Sequence, residues 1–209
     1  ISSAASDVYK RQAQTMVAGT VAGVAAVADV TRYSVHENNT DFTDAEGTPP
    51  HSITAIVEGG TDEDVATAIF YNRGIGCDTN GTTSVNVEDP DTGYIMPIKF
   101  MRPGYIPIYV EVAVTKLFGY TDSVTTQIEE AIAEYLNALQ IGQDLTISAL
   151  YGAALAVMPS LITPMFSITS MKAGVSYGVV DVVDINISFN EVTQGILGTS
   201  PPHITVTAS

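Results

Sequence analysis

The chain has 209 residues, and its 8 lysine and arginine residues stand against 23 aspartate and glutamate residues, for a formal net charge of −15. Nucleic-acid binding through phosphate neutralisation is excluded, because it requires clustered cationic side chains that this sequence lacks. Charged residues make up 15% of the chain, below the roughly 25% of an average soluble domain, while the hydrophobic share of 45% is ordinary. The sequence therefore predicts a folded protein that buries a hydrophobic core and carries few cations.

The length predicts one or two domains, each large enough to fold without cross-links. A single cysteine, Cys77, excludes an intramolecular disulfide framework. No apolar run reaches the roughly 18 residues of a membrane span, so none is predicted. Residues 1–12 resemble a translated sequencing-library linker and do not begin with methionine. We interpret them as non-native and expect the natural protein to extend upstream.

The first predicted module covers residues 13–103. Thr61 is placed to cap a helix whose first turn carries three acidic residues, where the helix dipole favours negative charge. Gly19 and Gly23 are expected to weaken an earlier helix. In chain order the predicted elements are a helix over 13–24, a strand over 27–36, an exposed acidic loop over 37–50, a strand over 51–58 that buries one side (Ile53, Ala55, Val57), a helix over 62–72, a turn-rich connector over 73–81, and a hairpin-like pair of strands over 82–87 and 94–100.

The second predicted module covers residues 104–209, after a break in periodicity at Arg102-Pro103-Gly104. Its clearest element is a long amphipathic helix that begins at Thr121 or Asp122, and Asp144 is placed to cap the next helix. We predict an α+β protein of two small modules, each a mixed or antiparallel sheet with one or two packed helices. The predicted elements are strands over 105–117, 161–169, 179–189 and 203–207 and helices over 122–140 and 145–158.

Cys77 is the one candidate nucleophile with thiol chemistry. A cysteine enzyme would need it beside His36, His51 or His203, with a carboxylate to orient the imidazole. Cys77 follows a glycine in a predicted turn and lies in no family-specific cysteine motif. We interpret it as a structural residue and predict no catalytic residues.

Oxygen-rich clusters raise the question of a cation site. None has the ligand spacing, with glycine at the sixth position, of a calcium-binding helix-loop-helix. The three histidines form no zinc-binding pattern. We therefore predict no metal site, although adventitious binding of a cation to the oxygen clusters stays open. The clusters are Asp41, Asp44 and Glu46, then Asp62, Glu63 and Asp64, then Glu88, Asp89 and Asp91.

Two further patterns have ordinary structural explanations. Gly74 and Gly76 form a GxG in the 73–81 connector, but a third glycine and a preceding strand are missing, so a turn is favoured over a phosphate-binding loop. The carboxylate pairs Asp181/Asp184 and Glu129/Glu130 are expected on solvated faces rather than as acid/base pairs. No cofactor-binding residue is predicted.

Short motifs in a fixed order resemble the baseplate J-like protein family of contractile phage tails. The resemblance is good over residues 23–114 and looser beyond them, where Phe189-Asn190-Glu191 is similar to the family's closing segment. No single motif is specific, but their order and spacing together are. The motifs are Val35-His-Glu-Asn38 with Thr40-Asp41, Gly47-x-Pro49-Pro50-His51-Ser52-Ile53, Val57-Glu-Gly-Gly60, the helix Asp62–Phe70, Gly74-x-Gly76, Asn80-Gly81, Phe100-x-Arg102-Pro103 and Val110-x-Val112.

The resemblance implies a non-enzymatic wedge component of the tail baseplate, built into a six-fold ring around the central hub. It implies a role shared with wedge proteins of type VI secretion and contractile-bacteriocin machines. Its partners would be other baseplate and tail proteins, and its location the virion, assembled in the bacterial host cytoplasm. Family members run longer at the N-terminus. We expect the acidic loop over 37–50 and the strand edges to contact neighbouring tail proteins.

Two other classes of protein remain open from the sequence. Loops rich in threonine, glycine and asparagine suggest a surface adhesin or carbohydrate-binding module, although tryptophan, a common glycan platform, is absent. Specific binding on a glycan array would favour that class. A cysteine-dependent hydrolase acting through Cys77 is the other, and fast thiol labelling near neutral pH would favour it.

Overall fold

The computed structural model has an α+β fold that divides into two compact units. Unit 1 ends at Pro103 and unit 2 comprises Gly104–Ser209. The linker-like residues 1–12 and the first three residues of the helix predicted over 13–24 lie outside the described residues. The structure describes residues 16–74, 76–160, 162–200 and 202–209.

Over its described residues, unit 1 combines a mixed three-stranded sheet, an antiparallel hairpin and two helices. The elements are α1 (Met16–Ala25), β1 (Val30–Asn38), β2 (Ser52–Gly59), α2 (Asp62–Asn72), β3 (Asp78–Asn80), β4 (Thr83–Glu88) and β5 (Ile95–Phe100). The sheet order is β1-β2-β3, with β1 antiparallel and β3 parallel to β2, so α2 lies in the crossover that connects the parallel neighbours β2 and β3. The hairpin β4-β5 confirms the predicted pair of strands.

Helix α2 follows the sequence prediction closely. Thr61 Oγ1 accepts a hydrogen bond from the Asp64 backbone N–H at 3.1 Å, and the acidic first turn faces the positive end of the helix dipole. Val65, Ala66 and Ile69 are buried and pack in the core of unit 1 with residues of β2, β4 and β5. The core therefore lies between α2 and the strands that flank it.

Strand β2 corrects the prediction of a single buried side, because every residue from Ser52 to Val57 is buried. Its neighbours β1 and β3 flank it, and Thr54 on its second side is covered by Thr48 and Asn80. Strand β3, in the segment predicted to be only a connector, was missed because three residues are too few to show a periodic pattern. A strand buried on both faces shows no alternation either.

The glycines of α1 allow a close approach of α1 to α2. A Cβ on Gly23 would lie 2.4 Å from Asn72 Nδ2, and one on Gly19 would lie 3.5 Å from Asn72 O. Thr20 Oγ1 also donates to Asn72 O at 3.1 Å. The predicted weakening of the helix by glycine is thus offset by tight packing between the two helices.

The described elements of unit 2 are β6 (Gly104–Pro107), β7 (Tyr109–Lys116), α3 (Asp122–Ala138), α4 (Ile147–Leu155), β8 (Phe166–Ser176), β9 (Val179–Asp181), β10 (Glu191–Gln194) and β11 (Ile204–Ala208). The two helices pack on one face of a mixed four-stranded sheet of order β11-β7-β8-β9. A separate pair, β6 and β10, runs parallel. Strand β11 is parallel to β7 and confirms the final predicted strand, while β8 is antiparallel to both β7 and β9.

Helix α3 matches the predicted amphipathic helix and buries the apolar stripe Val124, Ile128, Ile132 and Leu136. Thr121 precedes the helix as expected, but its hydroxyl bonds to Ser123 Oγ at 2.8 Å and caps no backbone N–H. Across the described part of the chain, no helix combines the length and apolar character that crossing a membrane requires.

The strand predicted over 105–117 is in fact two strands in two sheets. β6 pairs with β10 and β7 pairs with β8 and β11, and the chain changes sheet at Pro107 and Ile108. Proline has no N–H to continue the ladder. Ile108 N–H donates to the backbone oxygen of Gln194, the last residue of β10, at 3.3 Å. The chain then continues into β7. Periodicity does not reveal the break, because both halves keep the same apolar face.

The strand predicted over 179–189 ends at Asp181, and the helix predicted over 145–158 is shorter at both ends. Asp144 does not cap α4, because its Oδ1 accepts a hydrogen bond from Ile187 N–H at 2.8 Å. The cap of α4 comes instead from Asp184, which is distant in sequence and whose Oδ1 accepts from Ile147 N–H at 2.8 Å. Residues 182–187 therefore pack against the start of α4 and do not extend the sheet, although their sequence alternates like a strand.

Strand β8 begins later and runs further than the strand predicted over 161–169. Pro164 cannot donate to a ladder, and regular pairing with β7 starts at Phe166. β8 then continues to Ser176, where the Tyr177-Gly178 turn, with Gly178 at a φ of +73°, reverses the chain into β9. The end of β8 was not predicted, because the residues next to this turn are exposed and do not alternate between apolar and polar.

Candidate functional site

The loop between β1 and β2, residues 39–51, is held at its base by Asn38. This side chain is 3% exposed and uses both amide hydrogens, donating at 2.7 Å to Phe42 O and at 2.7 Å to Thr48 O. Its Oδ1 accepts from Thr40 N at 3.0 Å and from Thr40 Oγ1 at 2.7 Å. One buried amide thus ties the beginning of the 39–51 loop to its end.

A second set of polar contacts anchors the far side of the 39–51 loop. Thr48 is fully buried, and its Oγ1 lies 3.2 Å from Thr54 Oγ1 on β2. Asn80 Nδ2 on β3 donates to Thr54 Oγ1 at 3.0 Å. Asp44 Oδ1 accepts from the backbone N–H of Thr48 at 2.7 Å and of Glu46 at 3.1 Å. The loop shape is therefore set by unit 1 itself.

The outward side of the 39–51 loop is acidic and carries one large apolar side chain. Phe42 is 79% exposed. Asp41 and Glu46 are exposed, and Asp41 Oδ1 lies 3.0 Å from His51 Nε2 in a solvent-exposed pair. Exposed pairs of this kind contribute little stability. The 39–51 loop therefore presents carboxylates and one aromatic ring to solvent from a backbone held in shape by hydrogen bonds.

Arg102 fixes a second part of unit 1. Its guanidinium donates to the backbone oxygens of Val57 at 2.9 Å and Gly60 at 2.9 Å, and to Asp62 Oδ1 at 2.6 Å. The guanidinium carbon lies 5.1 Å from the centre of the Phe100 ring. The turn between β2 and α2 is thereby attached to the end of β5. Arg102 has a structural role that the sequence pattern alone did not indicate.

Of the three histidines, His51 is the one at the same cleft as Cys77. These two residues line the cleft of about 170 Å³ with Glu37, Asn38 and Asn39. Of the other two histidines, His36 Nε2 lies 3.1 Å from Ser34 Oγ, and His203 belongs to unit 2, with its ring centroid 4.5 Å from that of Tyr109.

The electrostatics of this cleft oppose a reactive thiolate. Burial raises the pKa of the Cys77 thiol, and the Glu37 carboxylate raises it further. The Arg73 guanidinium acts in the opposite direction but is the smaller cause. Reactive cysteines have a lowered pKa. His51 Nε2 lies 3.0 Å from Asp41 Oδ1. Burial and the Glu37 carboxylate together favour the protonated form of the Cys77 thiol.

A labelling experiment tests this electrostatic explanation. We expect Glu37→Gln to lower the pH midpoint of Cys77 alkylation, because it removes a negative charge that disfavours the thiolate. The wild-type midpoint should lie above that of a free cysteine. Glu63→Gln, an exposed change on α2, is the matched control and should leave the midpoint unchanged. An unshifted midpoint for Glu37→Gln would contradict the explanation.

The acidic clusters shape turns and helix ends. Asp64 belongs to the cap of α2, and Asp89 Oδ1 accepts from the backbone N–H of Asp91 at 2.9 Å and of Thr92 at 3.2 Å in the β4-β5 turn. Among the described residues, no group of three His, Cys, Asp or Glu side chains is arranged to hold a metal ion.

The GxG of the 73–81 connector and the two carboxylate pairs take part in local structure. Gly76 adopts a φ of +78°, which suits a turn between α2 and β3. Asp181 and Asp184 are exposed as expected, and each also accepts a backbone hydrogen bond: Asp184 Oδ1 from Ile147 N–H at the start of α4, and Asp181 Oδ1 from Val182 N–H at 2.7 Å. Glu130 is exposed as expected, whereas Glu129 is partly buried, and burial raises the pKa of its carboxyl group.

The chain matches no protein-family model and no curated protein.

Proposed function

We propose that this chain is a structural wedge component of a contractile phage tail baseplate, which acts through stable protein–protein contacts. The observation that carries the proposal is the location of the family-like motifs. Asn38, Thr40 and Ser52 come from motifs that surround the 39–51 loop, and Gly60 and Arg102 come from motifs joined at the Arg102 contacts. Motif residues that hold a surface loop in shape suit a protein whose function is assembly.

The 39–51 loop is the proposed contact surface for a neighbouring tail protein. Its internal hydrogen bonds order it before binding, so little conformational entropy is lost when a partner docks. Phe42 would provide the apolar anchor, while Asp41 and Glu46 would favour a basic partner surface. In this proposal the partners are other baseplate and tail proteins, arranged with six-fold symmetry in the virion after assembly in the bacterial host cytoplasm.

In this proposal the protein is not an enzyme, binds no nucleic acid and has no membrane span. The raised pKa of Cys77 supports the first part of this statement, because a protonated thiol is a poor nucleophile. The net charge of −15 supports the second part, because nucleic acids repel an acidic protein.

Reconstituted tail assembly with a charge-reversed loop tests the proposal. We expect Asp41→Lys combined with Glu46→Lys to lower the yield of complete tails at least about tenfold, since it opposes a basic partner surface and costs more than about 1.4 kcal/mol of contact energy. Glu88→Lys combined with Asp91→Lys makes the same charge change at the exposed β4-β5 turn and is the matched control.

The outcomes test the 39–51 loop as a contact surface separately from the wedge function. Tails that assemble normally with the loop variant would eliminate the 39–51 loop as a contact surface. Tails that never incorporate the wild-type chain would eliminate the wedge function itself. Equal losses with the loop variant and the β4-β5 control would show a general charge effect and would also contradict the loop proposal.

A further inference from the structure

The outer edge of the sheet in unit 2 is open. β9 is the last strand in the order β11-β7-β8-β9, and among the described residues it pairs with β8 alone. The two strands approach closely, since a Cβ on Gly174 would lie 2.0 Å from Val179 O. An edge strand presents N–H and C=O groups on its outer side that another strand can bond to.

A groove adjoins the hairpin that β8 and β9 form. It has a volume of about 610 Å³ and lies between the β8-β9 hairpin and residues 182–186. Its walls are rich in exposed valine: Val175 is 48% exposed, Val179 71% and Val183 51%. Contiguous exposed apolar side chains of this kind mark interaction sites in folded proteins. We name this feature the β9 groove.

The far wall of the β9 groove is fixed by the rest of unit 2. Leu145 and Ile185 exchange backbone hydrogen bonds of 2.9 and 2.8 Å, and Asp184 Oδ1 accepts from Ile147 N–H. The wall is therefore attached to the start of α4. A groove formed in advance binds with a smaller loss of entropy than a flexible one.

The charge around the β9 groove selects the partner. The charged side chains that line it are Asp181 and Asp184, and its described lining contains no lysine, arginine or histidine. A second copy of the chain would add the same carboxylates, and each copy carries a net charge of −15. Like charges at an interface disfavour such a pair. The complementary partner is apolar and positively charged.

We infer that the β9 groove binds an extended segment of another protein in which apolar and cationic side chains alternate. The segment adds a fifth strand beside β9: its backbone bonds to the strand edge, its apolar side chains enter the valine-lined groove, and its cationic side chains face Asp181 and Asp184. The inference does not depend on the proposed function, because it rests on unit 2 alone.

Nuclear magnetic resonance of the full chain, titrated with a short capped peptide of alternating lysine and valine, tests the inference. We expect shifts concentrated on the amides of residues 173–186, and binding at least about tenfold weaker for the matching glutamate and valine peptide. Val183→Lys changes a residue in the far wall of the β9 groove and should weaken peptide binding at least about tenfold. Ile162→Lys is the matched control at an exposed residue outside the groove, and it should change peptide binding less than about twofold.

Several results would overturn the inference. These are the absence of shifts at millimolar peptide, shifts centred elsewhere, equal binding of the acidic peptide, or equal effects of the two lysine variants. Sedimentation that shows a dimer of the chain disrupted by Val183→Lys would assign the groove to a second copy instead. Val175→Lys, on the other wall, repeats the test if the first variant does not fold.

Discussion

Asn38→Asp should destabilise unit 1 by about 3–5 kcal/mol, because two carbonyl oxygens lose their donor, at about 1–3 kcal/mol each, and a buried carboxylate keeps Thr40 as its hydrogen-bond partner. The substitution keeps the size of the side chain but removes its two amide hydrogens. The oxygens of Phe42 and Thr48, each 2.7 Å from Nδ2 in the native protein, would then face a carboxylate oxygen. Native-state hydrogen exchange of the β2 amides would report the loss in unit 1 separately from unit 2.

The neighbouring residue supplies the control. Asn39→Asp makes the same chemical change at an exposed side chain and should alter stability by less than about 0.5 kcal/mol. The effect of Asn38→Asp should also shrink as the pH falls, because a protonated carboxyl group donates one of the lost bonds. Burial raises the pKa of the introduced group, so its penalty appears as the pH rises through that value. Equal effects of the two variants would show that Asn38 does not anchor the loop.

Phe100→Ala should also lower the stability of unit 1 by about 3–5 kcal/mol, because truncating a buried phenylalanine loses its transfer free energy and leaves a cavity. Phe100 is fully buried in the core with residues of β2 and α2. The Arg102 guanidinium also loses the ring beneath it. Urea unfolding combined with hydrogen exchange of β2 would measure the change.

Phe42→Ala is the matched control for this truncation. It removes the same ring from the same unit at an exposed position and should change stability by less than about 0.5 kcal/mol. A large loss for Phe42→Ala would contradict the exposed position of that ring. A small loss for both would contradict the buried position of the Phe100 ring.

The helices with strong local signals could be predicted from the sequence. α2 and α3 each combine apolar residues at helical spacing with an N-terminal threonine, and these features lie within one short segment of chain. The β4-β5 hairpin was equally predictable, because the turn at Asp89 and its flanking strands are contiguous. The α+β fold follows from the same local patterns.

Elements decided by distant contacts could not be predicted. The change of sheet at Ile108 depends on Gln194, far along the chain, and the exchange of roles between Asp144 and Asp184 depends on how residues 182–187 dock on α4. An aspartate before a helix looks like a cap in the sequence whether or not its carboxylate faces that helix. Only the tertiary fold separates the two cases.

The candidate contact surface was predictable as a location but not as a structure. Acidic and turn-forming residues indicated an exposed loop over 37–50. The pattern Asn38-x-Thr40 is a local signal for a side chain that bonds to the backbone two residues on. The contacts of Thr48 with Thr54 and of Thr54 with Asn80 cross between separate strands, and no local pattern reports them.

The cleft of Cys77 shows the same limit. Neither its distance in sequence from His51 nor the surrounding motifs indicated that the two side chains line one cleft. Once they are adjacent, burial and the Glu37 carboxylate decide the state of the thiol, because both disfavour the thiolate. A cysteine and a histidine that line one cleft are therefore not, by themselves, evidence for nucleophilic catalysis.

Cryo-electron microscopy of contractile tails purified from cells that express this chain tests the wedge function most directly. The account predicts density for the chain in the baseplate, repeated with six-fold symmetry around the hub, with the 39–51 loop against a neighbouring protein. Intact contractile tails that lack the chain, although the cells produce it, would contradict the account.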